Sequence, residues 1–107
     1  MAGYSGTPLL SKLGIKEGHE ASPLDVIVFF VTRRADLERR FGRLVAALQP
    51  AGGLWVAWPK RSSGVETDMT EDVAREIGLT HGLVDNKVCA IDETWSGLRL
   101  VRRLRDR

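Results

Sequence analysis

The chain has 107 residues, 43% of them hydrophobic and 28% charged, which is the make-up of one globular domain rather than a disordered segment. A net charge of +2 is too slight to mark a nucleic-acid binder by itself, and the single cysteine, Cys89, excludes an intrachain disulfide. The longest apolar run, Val26 to Val31, is far too short to span a bilayer, and no basic start with an apolar core marks a signal peptide, so a soluble cytoplasmic protein is expected.

Taken in order, residues 1–24 read as a short helix and a connector. Thr7-Pro8 is a helix start, Leu9, Leu10 and Leu13 form a brief apolar stripe, and Gly14 is placed to end it. Asp25 to Val31 is apolar on both alternating faces, the pattern of a strand covered on both sides. The spacing then predicts a helix over 35–49, with Leu37, Phe41, Leu44, Val45 and Leu48 on one stripe and Arg39, Arg40 and Arg43 away from it. Pro50 and Gly52-Gly53 are read as ending that helix and turning the chain.

Leu54 to Trp58 is the central strand, stopped by Pro59, and Lys60 to Thr67 is a polar loop. Asp68 or Thr70 is expected to cap a further helix, with Val73 and Ile77 facing inward and Gly78 ending it. A third parallel strand is expected within 83–91, a turn over 92–97, and an antiparallel return over 98–104. The expected fold is therefore a single α/β domain over 1–107. Its sheet over 25–104 would be small and Rossmann-like, three parallel strands plus a C-terminal antiparallel hairpin strand.

Crossovers between parallel strands are right-handed, so strands in sequence order would place both linking helices on one face. The opposite face would keep Val26, Val28, Phe30 and Trp55 under no more than the short first helix. The 25–31 strand would also lie at the sheet edge. An apolar face and a bare apolar edge predict a partner, most simply a second copy of the chain, with those four residues at the interface.

Two sets of residues resemble known families. A strand opening at Asp25, the amphipathic helix, and Leu48-Gln49-Pro50-Ala51-Gly52-Gly53-Leu54-Trp55-Val56 resemble the second half of class I S-adenosylmethionine-dependent methyltransferases, in which a β-hairpin closes the sheet. Tyr4-Ser5-Gly6-Thr7-Pro8-Leu9, Lys12-Leu13-Gly14-Ile15, Gly53 to Lys60, and Asp92-Glu93-Thr94-Trp95-Ser96-Gly97-Leu98 look like the bacterial family designated domain of unknown function 3052, which brings no activity with it. The methyltransferase resemblance implies a fold truncated in its N-terminal half. Those proteins carry a longer segment where this chain has only Glu17 to Leu24. No Gly-x-Gly-x-Gly run is present to let backbone approach a cofactor, so none is expected.

Ligands of open α/β sheets sit beyond the carboxyl ends of the parallel strands. That edge should gather Lys60, Arg61, Ser62 and Ser63 after the second strand and Asp92, Glu93 and Trp95 after the third, a set able to hold an anion. Trp95 is read equally as a stacking platform or a local core plug. Adjacent carboxylates in a turn make poor acid–base partners, His19 and His81 lack companions at metal spacing, and no histidine close in sequence activates Cys89. A non-catalytic interaction or regulatory module is the leading expectation, with a small-molecule binder or enzyme at the strand ends as its rival.

Overall fold

The structure is a computed structural model that describes residues 24–107. The helix and connector expected before Leu24 lie outside the described residues. Four strands and two helices follow: β1 (Leu24–Phe30), α1 (Arg34–Ala46), β2 (Leu48–Pro59), α2 (Glu71–Thr80), β3 (Leu83–Ala90) and β4 (Trp95–Arg102). Short 3₁₀ turns cover Arg61–Ser63 and Leu104–Asp106.

The sheet order is β1-β2-β4-β3, with β1 parallel to β2, and β4 antiparallel to both β2 and β3. This corrects the expected sheet of three parallel strands, because it holds one parallel pair. The reason is legible in the side chains. β4 is buried along most of its length, whereas the middle of β3, from Asn86 to Val88, is exposed. An apolar strand belongs inside a sheet and a polar one at its rim, so β4 takes the place beside β2 and β3 becomes the far edge.

Three boundaries also move. Residues 48–50 belong to β2 rather than to the helix, since Leu48 pairs with Leu24 before the register shifts to Val26 opposite Gly53. The second helix runs through Gly78 to Thr80, and Gly82, at φ 84°, makes the stop. Trp95, Ser96 and Gly97 lie within β4, not in the turn before it.

Both helices pack on one face. Leu37 and Phe41 of α1 meet Ala74 and Ile77 of α2 over Leu54, Val56, Trp58, Leu98 and Leu100. Leu37 and Phe41 are completely buried, each stabilising the fold by about 1.5–3 kcal/mol. Helix α2 starts on Thr70, whose hydroxyl accepts from the Val73 N–H at 3.1 Å. Asp68, the other expected cap of α2, serves α1 instead: its Oδ1 accepts the Arg34 N–H at 2.7 Å, where Arg33 offers no side-chain cap.

The second face carries its own cluster of Trp55, Ala57, Ile91 and Trp95, with Val26, Val28, Phe30 and Cys89 packed against it. Small residues make room for the large ones. A Cβ on Gly97 would meet Ile91 and Trp55, and one on Gly53 would meet the Arg99 guanidinium. Trp55 is 2% exposed and Val26, Val28 and Phe30 are half-buried, so this face is not a bare apolar surface.

Candidate functional site

Beyond the C-terminal end of β2, Lys60 and Arg61 border an open cleft of about 480 Å³. Its other walls are Trp58 and Ser96 on the sheet side and Thr67, Met69, Thr70 and Glu71 at the start of α2. A smaller cleft of about 410 Å³ adjoins it between Thr32, Arg33, Glu66, Thr67 and Asp68. The loop over 64–70 that shapes both is held down by Thr67, whose Oγ1 donates to the Thr32 carbonyl at 2.5 Å and accepts from the Met69 N–H at 3.0 Å. Nearby, Arg34 pairs with Glu38 at 3.0 Å and Glu76 at 3.6 Å, tying the two helices. The hydrogen bond to Glu38 and then the charge of Glu76 raise the Arg34 pKa above its ordinary value.

Of the strand-end residues expected from sequence, the structure brings Lys60 and Arg61 to this cleft and gives most others a structural task. Ser63 Oγ donates to the Lys60 carbonyl and accepts the Val65 N–H, closing the 3₁₀ turn, and Ser62 is exposed. Asp92 Oδ1 accepts the Thr94 and Trp95 N–H groups, both at 2.8 Å, so the carboxylate shapes the hairpin loop. Glu93 is exposed, and no ion pair joins Lys60 to Asp92 or Glu93 among the described residues. Trp95 is a core plug. It is 8% exposed and packs edge-on against Phe30, ring centroids 5.0 Å apart.

Glu66, Thr67, Thr70 and Ser96 line the cleft without having been singled out in the sequence. Thr70 was legible only as a cap, and Ser96 comes to the cleft because β4 lies next to β2. Among the described residues no group of histidine, cysteine and acidic side chains could hold a metal ion. His81 Nδ1 lies 3.0 Å from the Ile77 carbonyl, and its ring stacks at a tilt on Phe41. No helix among the described residues is long and apolar enough to cross a membrane.

A second feature is the outer edge of β1. Val31 N–H donates to Ala57 O, and in a parallel ladder alternate residues turn both main-chain groups to the same neighbour. Ile27 and Phe29 thus face β2, while Val26 and Val28 turn theirs outward. The far edge, β3, is blunted by a register shift at Asp85–Lys87 and by the exposed Asn86 and Lys87. β1 has no charged residue between Val26 and Val31.

No family model matches the chain, and no curated protein is similar to it at a significant level.

Proposed function

We propose that the domain is a non-catalytic interaction or regulatory module that lends the edge of β1 to a strand of another chain. The observation that carries this reading is the contrast between the two sheet edges. β3 carries an inserted residue and the exposed Asn86 and Lys87 in its middle, whereas β1 has its register shift and its one charge, Asp25, at its start and is apolar and uncharged from Val26 to Val31. The use of Ser63, Asp92 and Trp95 in holding loops and core supports a non-catalytic role. The methyltransferase-like resemblance fits the same reading, as a sheet fold kept without its cofactor loop.

A second copy of the chain is one donor that such an edge admits. Light scattering across a range of concentrations tests this. A dimer would make a second copy the donor, and a monomer that binds an added strand would make the donor another chain. A chain that stays monomeric and binds no added strand at any concentration overturns the reading.

A second reading rests on the strand-end cleft. Lys60 and Arg61 beside the start of α2 offer cations to a phosphate or carboxylate ligand. Titration with inorganic phosphate and nucleotides decides it: saturable binding lost in Lys60→Ala supports a ligand site, and no binding removes it.

A further inference from the structure

The flank of the β1 edge says what kind of strand would dock there. Helix α1 sets Arg39, Arg40 and Arg43 near Phe29 of β1. A groove of about 390 Å³ is lined by Phe29, Leu44 and these three arginines. It continues as a second hollow of about 400 Å³ along Phe29, Phe30, Val31 and Thr32, bordered by Asp36 as well as by Arg39 and Arg40. Arg39 is paired with Asp36 on its own helix. Arg40 and Arg43 are exposed and make no ion pair among the described residues.

We propose that this groove takes an extended segment of another protein in which acidic and apolar residues alternate. The inference rests on the reading of β1 as a lending edge, and it names the donor. Successive side chains of an added strand point to opposite faces. On the helix face they would lie beside Phe29 and beneath the arginines, where carboxylates are favoured. On the second face they would lie beside Val26 and Val28, which pack with Trp55 and Ala57, where apolar side chains are favoured.

The same arginines count against a second copy as the donor. Two copies paired about Phe29 would carry both α1 helices on one face, and the arginine groups lining the groove at Phe29 would converge across the symmetry axis. Like charges so placed oppose association, while an acidic strand neutralises them.

The test uses the full chain and a fluorescein-labelled short peptide alternating glutamate and valine, followed by polarisation. Saturable binding that weakens with added salt is the expected result. Arg40→Glu with Arg43→Glu should weaken it roughly tenfold, and Arg40→Lys with Arg43→Lys should retain most of it. A peptide of the same sequence N-methylated at alternate residues separates strand addition from simple charge attraction, and it should not bind. Equal binding of the N-methylated peptide, or of one alternating lysine and valine, overturns the inference. Light scattering separates its failure from that of the underlying reading. A dimer that ignores the acidic peptide overturns the acidic donor and leaves the lending edge standing, and a monomer that binds no peptide overturns both.

Discussion

Arg102, at the end of β4, reaches across the sheet and donates from Nη2 to the carbonyl of Val45 at the C-terminus of α1, at 2.9 Å. Its Nη1 donates to Gln49 O at 2.9 Å and to Leu48 O at 3.2 Å. The last carbonyls of a helix lack partners within it, and a cation there also meets the negative end of the helix dipole. One guanidinium thus closes the turn between α1 and β2. Arg102→Ala should destabilise the fold by about 2 kcal/mol, since hydrogen bonds to a charged donor are worth about 1.5–3 kcal/mol. Arg102→Lys should recover little, because a single ammonium cannot fork to three carbonyls. Urea unfolding of the two variants checks both statements.

That arginine shows where the sequence could and could not be read. Nothing local in the sequence sets Arg102 apart from Arg103 and Arg105 beside it, and only the position of β4 beside β2 brings it to the end of α1. The helices, the apolar strands and the cleft at Lys60 follow from local periodicity and from where proline and glycine stand. Strand order does not. The exposed run from Asn86 to Val88 against the buried Leu98, Gly97 and Leu100 was the available signal that β3, not β4, is the edge. Asp68 was legible as a capping residue, but the helix it caps is set by tertiary contact 34 positions away in sequence.

That cap makes its own prediction. α1 begins without a side-chain cap from Arg33, so Asp68 Oδ1 is what satisfies the Arg34 N–H. Asp68→Ala should cost about 1 kcal/mol, the usual worth of an N-cap, and Asp68→Asn should cost less because its amide oxygen still accepts. Thermal unfolding followed by circular dichroism reads the difference. Equal losses in the two variants would mean that the interaction is not a cap.

The hairpin loop depends on Asp92 in the same way. Its carboxylate accepts two N–H groups, and the second belongs to Trp95, the plug of the second cluster. Asp92→Ala should destabilise by about 1–2 kcal/mol and let the Trp95 ring loosen against Phe30. A red-shifted tryptophan emission in the folded variant is the expected signature, and an unchanged spectrum with unchanged stability would refute it.

Two glycines in helices should respond to the same substitution with opposite signs. Gly42 lies on the exposed face of α1, where a Cβ meets nothing within 4 Å. Gly42→Ala should therefore stabilise by about 1 kcal/mol, the difference in helix propensity, helped by a less flexible unfolded chain. Gly78 has the same propensity to gain, but a Cβ there would lie 2.9 and 3.0 Å from the two methyl carbons of Leu100. Leu100, on β4 beneath α2, is fully buried and has little room to retreat. Overpacking of this kind costs about 1–3 kcal/mol, enough to cancel or exceed the gain. Gly78→Ala should thus be neutral or destabilising, and Gly78→Val clearly destabilising. Chemical denaturation of the three variants, compared at constant m-value, decides between the two terms. A Gly78→Ala protein as stabilised as Gly42→Ala would show that α2 can lift from Leu100 at no cost.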